Sequence, residues 1–222
     1  MKLVNPWHIN PQAVDKETCE KIMKIVESEE NDYKYQPSSV AKGENAYSRE
    51  YGKEGGYGQK TPAPAMHRRT DVAWLRNEKW IHDLMWSHME TANKEAGWNF
   101  DITSAENTQL GRYGRNHHFG WHVDGWSDGL SAFNQPDAKI RHGLIRKISM
   151  SLILNDDYEG GDFQFKTLPR NIFAKECEII TPDVSAGTVI CFPAFQNHRV
   201  QPVISESPRY SAVGFFMGPP FK

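Results

Sequence analysis

The second half of the sequence is a series of short apolar runs separated by Gly, Pro and Asn, and this texture restricts the fold most. The runs after Gly97 lie at 105–113, 116–122, 145–154, 162–166, 175–180, 187–192 and 209–217. Runs of this length between turn residues predict β-strands. Many short strands with little intervening helix predict a sandwich or barrel rather than a parallel α/β sheet.

Two amphipathic segments before Gly97 predict helices. From Asp15 to Glu30 apolar residues recur at helical spacing, and Asp15 or Thr18 can cap the first turn. A second stripe runs from about Asn77 to Gly97, where the glycine ends the helix, and we interpret His88 on it as a core histidine. Helices first and strands afterwards predict an α+β fold, mainly β, with N-terminal helices that buttress the sheets.

The length favours one domain. A chain of 222 residues can form one full core, so we predict a single domain over 1–222, with helices and a long loop over 1–104 and the β core over 105–217. Residues 33–66 are rich in Gly, Tyr, Ser and Pro and lack a regular period. This predicts a long loop, either a lid over a site or a plain surface loop.

Charge and cysteine content disfavour several classes of protein. With 26 basic and 28 acidic side chains the net charge is -2, so no global positive field favours nucleic acid as a partner. The N-terminus lacks an apolar secretion signal and no apolar run reaches about 18 residues, so a soluble, cytoplasmic protein without membrane contact is expected. Cys19, Cys177 and Cys191 are odd in number and widely spaced, which predicts buried free thiols.

The segment RYGRNHHFGWHVDGW contains two candidate metal ligands, His122 and Asp124. Residues two positions apart on a strand point to the same face, so both side chains can grip one ion. Alone, such a pair is more often a hydrogen-bonded structural feature, but His198 after the strand GTVICFP supplies a third candidate. Two imidazoles and one carboxylate leave open coordination positions, which suits oxygen-activating Fe(II) better than zinc.

A cation downstream of His198 indicates that a carboxylate ligand binds beside this ion. In RYSAVGFF, Arg209 and Ser211 alternate onto one strand face. A guanidinium grips a carboxylate through two parallel hydrogen bonds, and Ser211 can add a donor. The alternative is a surface arginine in a salt bridge, which the otherwise apolar strand disfavours.

Together these motifs resemble the 2-oxoglutarate/Fe(II)-dependent dioxygenase superfamily, and within it the prolyl 4-hydroxylase-like branch. The resemblance covers roughly residues 105–217 and rests on TQLGRYG, HVD, RKISMSLILNDDYEGGDFQF, AGTVICFPAFQNHRVQP and PRYSAVGFF. It implies a double-stranded β-helix, also called a jelly roll, with H-x-D after the second core strand, the distal histidine near the seventh and the basic residue on the eighth.

Carried over by position, the resemblance implies that His122, Asp124 and His198 are the metal ligands and the catalytic centre. It implies that Arg209 binds the C5 carboxylate of 2-oxoglutarate. Tyr113 falls where similar enzymes place a tyrosine hydroxyl on that carboxylate, with a buried core aromatic as the alternative.

The strand RKISMSLILN also bears on the cofactor pocket. Ser149, Ser151 and Ile153 share one face, which we expect to be the interior, with both hydroxyls lining the pocket. The alternate side chains, from Ile148 to Leu154, would then pack against the helices. EGGDF after Asn155 predicts a tight turn whose glycines adopt positive φ.

The resemblance implies an enzyme that uses Fe(II), 2-oxoglutarate and O2, with ascorbate as reductant, to hydroxylate an unactivated C–H bond while releasing succinate and CO2. A prolyl residue in a peptide or protein is the first candidate substrate. The same chemistry on a free amino acid, small metabolite or nucleobase is a second hypothesis, and a non-catalytic metal-binding β-barrel module is a third. Asp124 favours hydroxylation over halogenation, because similar halogenating enzymes carry a small residue there.

Substrate choice is assigned to segments that the family pattern leaves open: residues 33–66 and the insertion GWSDGLSAFNQPDAKIRHG after Asp124. Loops on the rim of a rigid sheet usually carry specificity. Trp126, Arg141 and His142 are the candidate substrate contacts, with solvated loop residues as the alternative.

Three aromatic residues near the motifs, Phe119, Trp121 and Phe192, are candidates for excluding water from the reacting centre. Each is also an ordinary core residue, which is the alternative interpretation. The sequence leaves the choice between these roles open.

Overall fold

Strands account for most of the regular structure in this computed structural model, which describes residues 5–28, 32–38, 68–125, 130–134, 141–167 and 177–222. In chain order the strands and helices are β1 His8–Asn10, α1 Lys16–Lys24, a 3-10 turn Ile25–Glu27, β2 Gln36–Pro37, β3 Arg68–Arg69, β4 Asp71–Leu75, α2 Lys79–Glu95, β5 Ser104–Ala105, β6 Thr108–Tyr113, β7 His118–His122, β8 Ile145–Ile153, β9 Phe163–Lys166, β10 Ile179–Ile180, β11 Val189–Pro193, β12 His198–Val200 and β13 Arg209–Gly218.

The strands form two antiparallel sheets. The major sheet has the order β1-β11-β8-β13-β6-β4-β2, with β5 also paired to β13, and the minor sheet has the order β10-β9-β12-β7-β3. From β6 to β13 the chain passes back and forth between the sheets, with β9 and β10 as the one consecutive pair in the same sheet, as in a jelly roll. The predicted double-stranded β-helix core is therefore confirmed.

Two apolar clusters flank the major sheet. On its outer side, Met150 and Leu152 of β8 join the cluster that α1 and α2 cover, whereas Ile153 joins the inner cluster between the sheets. Inside, Phe163 and Phe165 of the minor sheet lie 5.6 and 5.3 Å, centroid to centroid, from Phe192 of the major sheet. The predicted alternation of β8 side chains is thus confirmed, because the helices and the second sheet bury opposite faces.

Both predicted helices are present but shorter than expected. The Asp15 carboxylate caps α1 by accepting a hydrogen bond from the Thr18 N–H at 2.8 Å. After α2 the chain turns at Gly97, whose φ of +71° is in the left-handed region. His88 on α2 is half-buried rather than enclosed, and this partial burial lowers its pKa.

Several predictions need correction. The order of helices first and strands afterwards is wrong, because β1 precedes α1 and β4 lies before α2. Both are short runs, and each adds to the major sheet by pairing with a distant strand, β11 or β6. Cys19 and Cys191 are buried free thiols as predicted, but Cys177 is exposed, because it lies in an irregular segment outside the sheets.

Most of the predicted 33–66 loop lies outside the described residues, so its role as lid or surface loop stays a prediction. Of that segment the structure describes residues 33–38, which contain β2. Within the described part of the chain, no helix is both long and apolar enough to cross a bilayer.

Candidate metal centre

Two neighbouring strands of the minor sheet bring the distant histidines together. His198 at the start of β12 is directly opposite His122 at the end of β7, and their ring centroids are 4.1 Å apart. Asp124 lies just beyond β7, where its N–H donates to the Ala194 carbonyl at 2.8 Å. The fold therefore brings all three predicted ligands together beside the apolar cluster between the sheets.

The three side chains face one another at distances that one ion can bridge. Asp124 Oδ1 lies 3.5 Å from His122 Nε2, and Asp124 Oδ2 lies 3.4 Å from His198 Nε2. One ligand atom from each residue lies within 4.8 Å of the others. This is the required geometry for a set of two histidines and one carboxylate that leaves coordination positions open.

Hydrogen bonds fix the orientation of both imidazoles. His122 Nδ1 lies 2.7 Å from the Gly120 carbonyl oxygen, and His198 Nδ1 lies 2.9 Å from the Gln196 carbonyl oxygen. A carbonyl only accepts, so each Nδ1 carries a hydrogen, and in the neutral form of each ring the lone pair of Nε2 points toward Asp124. Three acceptor groups that face one another without a donor suit a bound cation.

The electrostatics favour the protonation states that bind metals. Burial, together with the neighbouring His122, lowers the pKa of His198 to about 4, although Asp124 opposes the shift. Burial acts to raise the pKa of Asp124, but the electrostatic effects of the neighbouring His198, His122 and Arg146 outweigh it, and the net shift is downward. A neutral imidazole and an ionised carboxylate are the metal-binding forms of these groups.

Arg209 is a buried cation without a carboxylate partner in the described part of the chain. Its side chain is 1% exposed and donates through Nη1 to Ser211 Oγ at 3.2 Å, while Nε and Nη2 have no hydrogen-bond partner. Tyr113 is paired with Arg209 across β6 and β13, and the Arg209 guanidinium lies 5.4 Å from its ring centroid. A buried, unpaired guanidinium is costly, so this position fits a ligand with a carboxylate group.

The predicted EGGDF turn shapes the space around Arg209. Gly160 and Gly161 adopt φ values of +71° and +64°, as predicted. A Cβ atom on Gly161 would lie 2.9 Å from Arg209 Cδ, so only glycine allows this approach. Ser149 and Ser151 on β8 are buried as expected, and Ser149 Oγ has no hydrogen-bond partner in the described structure.

Aromatic rings line the histidines. Phe119 stacks on His122 with ring centroids 3.5 Å apart, and Phe192 lies 4.5 Å from His198. Sequence reasoning missed Phe163, whose ring centroid lies 5.5 Å from that of His198. The alternation of aromatic and polar residues in FQF could have indicated its inward orientation. The expectation for Trp121 is wrong, because it points to the outer face of β7, where the Arg199 guanidinium lies 4.5 Å from its ring.

The structure describes two of the three predicted substrate contacts, Arg141 and His142. Arg141 Nη1 lies 3.8 Å from Glu106 Oε2, His142 is exposed, and Trp126 lies outside the described residues. Sequence reasoning missed Arg146, which donates to the Asp124 carbonyl oxygen at 2.8 Å. An arginine at the start of the apolar strand 145–154 was the available signal.

Comparison with known proteins gives a family match over the β core. The profile described as the 2OG-Fe(II) oxygenase superfamily matches residues 108–217, which include all three candidate ligands and Arg209. No curated protein matches the sequence.

Several solved structures share the fold. A prolyl-4-hydroxylase from Pseudomonas putida is 12% identical over 96% of this chain and 92% of that chain, with a TM-score of 0.59. The viral collagen prolyl hydroxylase of Paramecium Bursaria Chlorella virus-1, solved as a 2OG complex, is 14% identical over 97% of both chains, with a TM-score of 0.58. A Trichoplax adhaerens prolyl hydroxylase, in complex with a hypoxia inducible factor peptide fragment, is 14% identical over 96% and 84%, with a TM-score of 0.62. At these identities the likeness establishes the fold.

Proposed function

Given that residues 108–217 belong to the 2OG-Fe(II) oxygenase superfamily, we propose that this protein is an Fe(II)- and 2-oxoglutarate-dependent hydroxylase of prolyl residues in a peptide or protein. The observation that carries the proposal is the convergence of His122, Asp124 and His198, with metal-binding atoms within 4.8 Å of one another. A second observation is the buried Arg209 guanidinium, whose Nε and Nη2 lack a partner in the described structure and which lies over Tyr113 of the apolar cluster between the sheets.

Each residue has a proposed role. His122, Asp124 and His198 hold the iron, with each histidine kept in the required tautomer by its backbone carbonyl. Arg209 binds the C5 carboxylate of 2-oxoglutarate, with Tyr113 beside it. When bound, iron and 2-oxoglutarate supply the oxidation of a substrate C–H bond by O2, with release of succinate and CO2.

The protein surroundings fit an oxidation that must exclude water. Phe119, Phe163 and Phe192 surround the imidazoles with rings at 3.5 to 5.5 Å. Ser151 and Ser211 lie on the neighbouring strands β8 and β13 of the major sheet, with Ser211 close to the cation that anchors the cofactor. A largely apolar wall with few polar groups orients a bound ligand and keeps solvent from the reacting carbon.

The substrate class is proposed from the solved structures that share the fold. Those named above are prolyl hydroxylases, and the Trichoplax protein is bound to a peptide fragment. We assign Arg141, His142 and Trp126 to the rim that contacts the substrate, because the insertion after Asp124 leaves from the metal centre and returns at Arg141.

The test is an assay with Fe(II), 2-oxoglutarate and ascorbate on two panels, one of proline-containing peptides and one of free amino acids, metabolites and nucleobases. We expect succinate and a mass gain of one oxygen on a peptide, with both signals lost in His122→Ala. A mass gain of one oxygen on a compound of the second panel alone would show that the substrate is a small molecule and not a prolyl residue in a peptide. Tight metal binding without succinate from either panel would favour a non-catalytic module.

A further inference from the structure

Asp124 is held through its main chain by a residue that sequence reasoning did not assign to the site. The carbonyl oxygen of Asp124 accepts a hydrogen bond from Arg146 Nη1 at 2.8 Å. Arg146 lies near the start of β8, in the major sheet, whereas Asp124 follows β7 of the minor sheet. This bond therefore ties the metal-ligand segment of one sheet to the framework of the other.

The guanidinium of Arg146 is itself fixed in direction. Its Nε and Nη2 atoms each donate, at 2.8 Å, to one carboxylate oxygen of Glu106, whose side chain is only 4% exposed. Its plane lies over the Phe215 ring, with Cζ 3.8 Å from the centroid. A bidentate, charge-assisted pair and a stacked face leave the fork little rotational freedom, so the remaining Nη1 is aimed at Asp124.

Asp124 needs such support because no strand ladder holds it. β7 ends at His122, and the chain then leaves the sheet for the insertion that follows Asp124. The two main-chain hydrogen bonds of Asp124 go to the Ala194 carbonyl and from Arg146. Losing one of them would let the carboxylate drift from the two imidazoles.

Glu106 also contacts the far end of the same insertion. Arg141 is the first residue of the described range 141–167, and its Nη1 lies 3.8 Å from Glu106 Oε2. The buried carboxylate thus connects through Arg146 to the start of the insertion and through Arg141 to its end. One acid in the link between β5 and β6 therefore contacts residues that neighbour both ends of the segment that begins at the metal centre.

We infer that Glu106 and Arg146 form a positioning pair that sets the Asp124 carboxylate for metal binding, without contacting metal, cofactor or substrate. The inference rests on the proposed function for the presence of a metal at this centre. Removal of a residue that hydrogen-bonds to a metal ligand typically weakens metal binding about 10- to 100-fold.

The test measures binding of Co(II) alone, without 2-oxoglutarate, by calorimetry and by the visible absorption of the bound ion. Arg146→Gln and Glu106→Gln are each expected to weaken Co(II) binding by about 10- to 100-fold. Arg146→Lys keeps the charge but lacks the three-way fork, so it should bind with intermediate affinity and an altered spectrum. The matched control is Arg112→Gln, which breaks the 3.0 Å pair with Asp71 on neighbouring strands of the same sheet.

The outcomes are separable. Wild-type affinity and spectrum in a folded Arg146→Gln or Glu106→Gln variant would overturn the positioning role. Equal weakening in Arg112→Gln would also overturn it, because the effect would then be general destabilisation. If Arg146→Gln does not fold, the Arg146→Lys spectrum decides. Failure of the proposed function looks different: either the wild type would not bind Co(II), or His122→Ala would bind it as tightly as the wild type does.

Discussion

Asp124 Oδ2 and His198 Nε2 lie 3.4 Å apart, and both are hydrogen-bond acceptors because His198 Nδ1 is the atom that donates to a backbone carbonyl. His122 repeats the relationship at 3.5 Å with the other carboxylate oxygen. Acceptors held this close without a hydrogen between them repel, so the folded chain maintains an arrangement that a cation relieves.

Replacing Asp124 by Asn tests this relationship directly. The amide can donate to one Nε2, so at pH 8 we expect the metal-free variant to be more stable than the wild type by roughly 0.5–1.5 kcal/mol. Metal binding should be lost, because the anionic ligand is gone. Urea unfolding of the metal-free proteins and Co(II) titration measure the two effects. Lower stability of the metal-free variant would contradict the interpretation that acceptor faces acceptor.

Arg209→Gln should weaken 2-oxoglutarate binding by about 10- to 100-fold, since a charge-assisted pair is worth roughly 1.5–3 kcal/mol. The 2-oxoglutarate concentration for half-maximal succinate formation measures it. Co(II) affinity without 2-oxoglutarate should not change, because Arg209 is not a ligand. Arg209→Lys is the charge-preserving control, and its 2-oxoglutarate requirement should lie between those of the wild type and Arg209→Gln. An unaltered 2-oxoglutarate requirement in Arg209→Gln would remove Arg209 from the cofactor site.

Gly161→Ala should reduce both stability and 2-oxoglutarate affinity. The φ of +64° costs a side chain roughly 1–2 kcal/mol, and the new methyl group would meet Arg209 Cδ at 2.9 Å. The matched control is Gly97→Ala, which has a φ of +71° but open space around the added carbon. Chemical unfolding should register a loss in both variants, whereas the 2-oxoglutarate requirement should rise in Gly161→Ala alone. A higher 2-oxoglutarate requirement in both variants would show that backbone strain, and not the contact with Arg209, controls cofactor affinity.

Phe192→Ala and Trp121→Ala separate the interior between the two sheets from the outer face of the minor sheet. Phe192 is 2% exposed and packs against His198, so its truncation should cost roughly 3–5 kcal/mol and lower the yield of hydroxylated product per succinate formed. Trp121 stacks with Arg199 on the outer face, so its truncation should leave that ratio unchanged. Product and succinate are counted in the same reaction. A matching loss of coupling in Trp121→Ala would contradict the assignment of faces.

The sequence determined the local features of this protein. Alternation along RKISMSLILN predicted which side chains of β8 face the helices and which face the second sheet, and this was confirmed. The spacing of His122 and Asp124 predicted that both side chains reach one site, and the structure brings them together, although Asp124 lies beyond the end of β7 rather than on the strand. An arginine in an apolar strand predicted a buried cation. These inferences succeed because period and spacing depend on the backbone geometry of a single element.

Tertiary structure alone decided which elements meet. The pairing of β12 with β7 sets His198 against His122, and the pairing of β4 with β6 recruits a strand that lies before α2. Arg146 pairs with the Glu106 carboxylate and donates to the Asp124 carbonyl, which joins three segments that are far apart in the chain. Such contacts depend on long-range register and on hydrogen bonds to main-chain atoms, which every residue carries, so no local pattern of side chains encodes them.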